Sequence, residues 1–212
     1  MKTRSIIDTE FVVRSIAETA IENEDAFCEL DSVVGDGDFG YSLARGFEKV
    51  LEEWDVFDRT DSSIFLKSIA HTITSRIGGT SGPLWGTAFL RASTAVRGRD
   101  AVGGADVVAM LRAAIEGIKD RGKSDVGDKT LLDALVPATD ALEVAVAQGS
   151  SFEKALDEAA KAARVAADAT SSLQARRGRA SYTGERSIGS PDAGAVAVAV
   201  ILERLTIQSR AR

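Results

Sequence analysis

Three carboxylates and three glycines crowd into ten residues: Asp31, then GDGDFG from Gly35 to Gly40, directly ahead of a helical pattern. Carboxylate oxygens are the ligands that hard divalent cations prefer, and Mg²⁺ commonly completes its shell with phosphate and water oxygens. Asp36 and Asp38, two residues apart, share one side of an extended stretch, and the glycines permit turns closed to other residues. Left without a cation, three clustered carboxylates repel one another. The plainer reading is a solvated turn in which an aspartate caps the next helix. The spacing excludes an EF-hand loop.

Three further loops carry polar chemistry. RIGGTSGPLWGT (76–87) places consecutive glycines, Thr80 and Ser81 before Pro83, which is expected at the first helical position. That combination suits an anion cradle, with backbone N–H groups and the helix dipole facing the ligand. No Gly-Lys-Ser/Thr follows, so it is not a Walker A loop; a tight helix–helix turn is the alternative. In KSDVGDKTLLDA (123–134), Asp128 or Thr130 can cap a helix, with Lys129 exposed and Asp133 on a solvated face. In RGRASYTGERSIGSPDAGA (177–195), Arg179 and Arg186 offer rigid donor forks to phosphates, or belong to an exposed loop. Trp54 and Trp85 are expected to pack.

Other chemistries are excluded by count. Cys28 is the only cysteine and His71 the only histidine, so the chain cannot assemble a disulfide, a Cys-based zinc site or a Ser-His-Asp triad of its own. His71 is expected to be a helix residue without a catalytic role. A net charge of −6 argues against a nucleic-acid surface. There is no run of 18 apolar residues and no signal-peptide pattern after MKTRSIIDTEFVV, which predicts a cytoplasmic chain with no membrane contact.

The elements that must position these loops are helical. Leu43, Phe47, Val50, Leu51 and Trp54 trace one helix face; Phe65, Ile69 and Ile73 trace another behind Asp61. Val108, Leu111, Ile115 and Ile118 mark a third, opened by Asp106 and closed by Gly122. Further helices are expected at about 8–28, 83–96, 130–148, 151–173 and 191–207, giving eight and no strand. Pro137 should kink or break the helix that contains it, and the alanine-rich runs AAKAARVAADA and AGAVAVAVIL should let the last two helices approach closely. One all-α domain over 1–212 follows. The four loops are alternate connections of this array, so all four should lie at the same end.

Read in order, GDGDFG, GGTSGPL, GDKTL and GRASYTGERS resemble the nucleotide-binding L subunits of dihydroxyacetone kinases. That family's pattern is Gly-Asp-x-Asp-His-Gly, Gly-Gly-x-Ser-Gly-Pro-Leu, Gly-Asp-Lys-Thr-Met and Gly-Arg-Ala-Ser-Tyr-x-Gly-Glu-Arg-Ser, and the likeness spans about 7–207. It implies a barrel of eight antiparallel helices with ADP or ATP held on two Mg²⁺ ions at one end. By the same resemblance Asp31, Asp36 and Asp38 are the metal ligands. Phe39, Gly40, Tyr41 and Ser42 form the first phosphate loop, and Thr80 and Ser81 the second. Gly122 and Leu131 line the nucleotide pocket, Arg179 contacts the nucleotide, and Asp192, Ala193 and Gly194 lie near base and ribose.

The resemblance also implies that no general base is present here, because the ketose is held by a partner K subunit through a histidine of that partner. Two departures stand out: Phe39 replaces the family's histidine, and Ser190-Pro191-Asp192-Ala193-Gly194 replaces His-x-Asp-Pro-Gly. The family has an ATP-exchanging version and one that keeps ADP as a coenzyme recharged by a phosphotransferase-system protein. The loss of a polar contact at Phe39 favours the exchanging version. The rival readings are a nucleotide-loaded module that docks on a regulator and a purely structural bundle.

Overall fold

The computed structural model describes residues 4–99 and 101–211; the first three residues of the basic N-terminal stretch, Asp100 and Arg212 lie outside it. Among the described residues nine α-helices follow one another: α1 (Arg4–Glu22), α2 (Glu24–Ser32), α3 (Phe39–Glu52), α4 (Ser62–Arg76), α5 (Ser81–Ala95), α6 (Gly104–Gly122), α7 (Leu132–Ala147), α8 (Phe152–Ala169) and α9 (Ala193–Arg210). No strand occurs among the described residues. Short 3-10 segments occupy Trp54–Val56, Thr170–Ser172 and Arg179–Ser187.

The count exceeds the expected eight because the first helix is broken. Asn23 leaves helical geometry (φ −108°, ψ 17°), and its side-chain amide donates to the Thr19 carbonyl at 2.8 Å. A short polar side chain that bonds the preceding turn competes with the helix for that carbonyl. Two other boundaries differ. The left-handed residue closing α6 is Lys123 (φ 49°), one past Gly122. Pro83 is the third residue of α5, where a missing N–H still costs no intrahelical bond. Of the kink or break expected at Pro137 the break does not occur, and α7 runs through it.

Around the molecule α3 packs on α1 and α4, then α4 on α5, α5 on α6, α6 on α7, α7 on α8 and α8 on α9, while α9 returns to α1. The interior holds Phe27, Phe47, Phe65, Leu43, Ile69, Ile73, Ile118 and Leu132, all fully buried. Trp85 meets Phe47 edge-on with centroids 6.1 Å apart, and Trp54 meets Phe65 at 5.5 Å, so both tryptophans pack as expected. Ala155, Ala159, Ala163 and Ala167 fall at intervals of four on α8 and are buried, and α8 packs on both α7 and α9. Small side chains there permit the close approach that the sequence implied.

Candidate metal and anion site

Every residue expected to hold metal or nucleotide lies at a helix end or in the loop beside one. Asp31 is near the C-terminus of α2; Asp36 and Asp38 lie in the loop before α3; Phe39 to Ser42 form the first turn of α3. Thr80 precedes α5, Ser81 opens it, and Gly122 ends α6. Leu131 precedes α7, Asp192 precedes α9, and Ala193 and Gly194 begin that helix. Four helix N-termini, those of α3, α5, α7 and α9, therefore carry candidate ligands. Each presents N–H groups that have no partner within the helix.

The α2–α3 loop draws its carboxylates together. Asp31, Asp36 and Asp38 each offer an oxygen, and these oxygens lie within 4.8 Å of one another. The turn depends on glycine: Gly37 has φ +75°, and a Cβ on Gly35 would sit 2.3 Å from Asp31 Oδ1. Asp38 occupies the cap position of α3, yet its side chain makes no capping bond. The solvated-cap reading therefore fails for Asp38. Its carboxylate faces Arg179 Nη1 at 3.4 Å, and the same guanidinium pairs with Asp36. Asp31 Oδ2 accepts weakly from the Phe39 N–H at 3.4 Å. Three oxygen donors at this spacing fit a hard cation such as Mg²⁺ and leave coordination positions for water or phosphate.

Phe39 packs its ring on Phe27, with centroids 6.0 Å apart. Its substitution for a polar residue thus adds a packing contact beside the carboxylates. Gly40 is where α3 touches α2: a Cβ there would meet the Glu24 carbonyl at 2.0 Å.

The α6–α7 loop departs most from expectation. Lys129 and Asp133 were expected to be exposed, yet their relative exposures are 3% and 6%. Asp133 accepts from Gly127 N–H at 2.6 Å and from Thr130 N–H at 2.7 Å, which ties the loop to the first turn of α7. Lys129, in the left-handed region at φ 61°, donates from Nζ to the carbonyls of Leu173 (3.1 Å), Ser190 (2.7 Å) and Ser187. Asp128 pairs with Arg177 Nε at 3.0 Å, and its carbonyl accepts the Arg176 N–H at 3.0 Å. The α8–α9 connection is therefore fastened to the α6–α7 loop at several points.

Asp192 caps α9, accepting from Ala195 N–H at 2.8 Å. Burial pushes its carboxyl up to about 7; the charges of Asp133 and Asp31 act in the same direction, while the Ala195 N–H and Lys129 oppose them. Burial in turn lowers the Lys129 ammonium, and Asp192 counters it. A Cβ on Gly194 would lie 3.3 Å from Leu131 Cβ, so the starts of α7 and α9 adjoin.

Three of the four loops are joined by these contacts. The fourth, before α5, reaches the same end less directly, through Leu84 beside Gly122. Thr80 and its neighbours Gly78 and Gly79 are exposed, and Thr80 makes no side-chain cap. Among the described residues no bond links Thr80 or Ser81 to the aspartate trio. Arg186 and His71 are exposed, His71 on α4.

The DAK2 domain profile matches residues 33–206. Over 181 residues the chain is 40% identical to the "PEP-dependent dihydroxyacetone kinase, ADP-binding subunit DhaL" of Escherichia coli (strain K12), covering 85% of this chain and 86% of that one. The "PEP-dependent dihydroxyacetone kinase 1, ADP-binding subunit DhaL" of Listeria innocua serovar 6a is 35% identical over 193 residues, 91% of each chain. Among solved structures, the dihydroxyacetone kinase from C. freundii in complex with AMP-PNP and Mg²⁺ matches with a TM-score of 0.76 at 25% identity. That match covers 94% of this chain and 33% of the other, so the same fold occurs there as about one third of a longer polypeptide.

Proposed function

The chain belongs to the DAK2 domain family, and from that membership we propose that it is the nucleotide-carrying subunit of a two-component ketose kinase. The reaction is transfer of a phosphoryl group to a hydroxyl of dihydroxyacetone or a related short ketose, which a partner K subunit presents. The observation that carries this reading is the aspartate trio, whose oxygens converge within 4.8 Å beside the N-terminus of α3. Asp31, Asp36 and Asp38 would hold Mg²⁺, and the cluster's three negative charges suit two such ions. When bound, Mg²⁺ neutralises charge on the phosphate oxygens, the main requirement of phosphoryl transfer.

The chain's own residues supply the rest. Phe39, Gly40, Tyr41 and Ser42 form the turn of α3 that faces the phosphates. The Tyr41 N–H is bonded to Cys28 Sγ at 3.1 Å and the Ser42 N–H to the Asp38 carbonyl at 2.8 Å, so Ser42 offers its hydroxyl. Thr80 and Ser81 offer N–H and hydroxyl groups at the start of α5. Arg179, on a segment held over the trio, donates charge-assisted bonds where negative charge builds up. Gly122, Leu131, Ala193 and Gly194 bound the space for base and ribose, and Asp192 fixes the start of α9.

Two observations bear on the phosphoryl donor. Phe39 in place of a polar residue favours readily exchanged ATP. The two relatives named above are both described as PEP-dependent and ADP-binding, and the Phe39 ring packs on Phe27. The second pair of facts carries more of the chain, so we adopt ADP as a retained coenzyme that a phosphotransferase-system phosphoprotein recharges.

Chromatography of the nucleotide released by denaturing protein purified in Mg²⁺ tests this reading. Retained ADP at about one per chain, resistant to exchange with labelled ATP, is the expected result. Free exchange of ATP would instead favour the ATP-dependent route. No affinity for either nucleotide would overturn the kinase reading. In addition, once bound nucleotide has been stripped with a chelator, Mg-ADP at about 100 times its Kd should stabilise the chain by about 2.7 kcal/mol. Asp36→Asn and Asp38→Asn should each abolish most of that gain, measured as the ligand-induced shift in melting temperature.

A further inference from the structure

The Lys129 ammonium makes three hydrogen bonds, and all three acceptors are main-chain carbonyls of one connection, the 23 residues between α8 and α9 numbered 170–192. Leu173 lies before Arg179 in that connection, and Ser187 and Ser190 lie after it. One cation therefore pins both flanks of the segment that carries the arginine. An ammonium has three N–H donors, and all three are used. Asp192 is close enough to favour the charged form of Lys129, but among the described residues no carboxylate pairs with Nζ directly. The residue is also held at φ 61°, a region that residues other than glycine, asparagine and aspartate seldom occupy. Strain of this kind persists where surrounding contacts over-determine it.

Between the pinned points the chain runs through Gly178, at φ +64°, into the 3-10 segment that begins with Arg179. Arg179 is itself exposed, and its contacts to Asp36 and Asp38 are made across the mouth of the site. A long, flexible side chain on an exposed segment is positioned only as well as its backbone. The backbone here is fixed from beneath by Lys129.

We propose that Lys129 is a positioning residue for Arg179: its three carbonyl bonds hold the α8–α9 connection so that the guanidinium stands over the Asp36–Asp38 edge of the nucleotide site. This rests on the nucleotide reading given above. It assigns to Lys129 a part in phosphate recognition without contact to the phosphate.

A double-mutant cycle on the full chain, stripped of bound nucleotide and metal with EDTA and read by calorimetric titration with Mg-ADP, tests it. The wild-type titration comes first: absence of binding there would overturn the nucleotide reading, and this proposal with it. Given wild-type binding, Lys129→Met is expected to weaken Mg-ADP at least tenfold while far-UV circular dichroism shows the helices intact. On the Arg179→Ala background the same substitution should weaken binding threefold or less, because the residue it positions is gone. Equal losses on the two backgrounds would overturn the proposal and leave Lys129 a general support of the fold, as would unchanged affinity in Lys129→Met alone. Should Lys129→Met fail to fold, Lys129→Gln, which retains a short donor, takes its place in the cycle with the same expected outcomes.

Discussion

Burial and two neighbouring aspartates raise the Asp192 carboxyl from 3.8 to about 7 on folding, so the native chain holds a proton there that the unfolded chain releases. Between those values Asp192 binds fewer protons in the unfolded state than in the native state, so its contribution to stability falls as pH rises from about 4 to about 7, then levels off. Asp192→Asn keeps a capping oxygen but carries no titrating proton. In metal-free buffer its melting temperature should therefore gain on the wild type across that window, by at most about 4 kcal/mol in stability. A difference that does not change with pH would show that Asp192 is not the group responsible. At this scale the sequence was unevenly legible. The aspartate trio could be read because its residue types and spacing are its chemistry. Lys129 and Asp133 could not, because their partners are main-chain carbonyls and N–H groups, which leave no mark on the identities of distant residues.

The helices were largely visible in advance because apolar residues repeat with the helical period, and alanine spacing marks the α8–α9 contact. The break at Asn23 escaped, since no glycine or proline signals it and the cause is one side-chain bond to Thr19. The close contact of α2 with the start of α3 also follows from a single position. Gly40→Ala would place a methyl 2.0 Å from the Glu24 carbonyl and 2.8 Å from the Cys28 nitrogen, both main-chain atoms that cannot swing aside. The helices must part, at a cost of about 1–3 kcal/mol. For a chain of this length each kcal/mol corresponds to roughly 2–4 °C in melting temperature. Because the same turn of α3 faces the aspartates, Mg-ADP affinity should fall as well. A variant that melts and binds like the wild type would show that the two helices do not depend on this contact.

In the whole molecule α1 packs against α9, so neighbour contacts run from one end of the chain round to the other. Such an arrangement should unfold as one unit. Tryptophan emission, from Trp54 beyond α3 and Trp85 in α5, and far-UV circular dichroism should report one coincident thermal transition, which Mg-ADP shifts equally by both probes. Two separated transitions would mean that the site end melts independently. The direction of α9 has a further consequence. Starting at Asp192 beside the site and running for 18 residues, it carries the chain about 27 Å away before Arg210. Anything joined to the chain beyond α9 would begin far from the aspartates, and a tether of about eight extended residues would be needed merely to cover the return. A partner fused there would gain effective concentration at the site only above that reach. With a shorter join, the mouth of the site would be left open to a separate, diffusing protein.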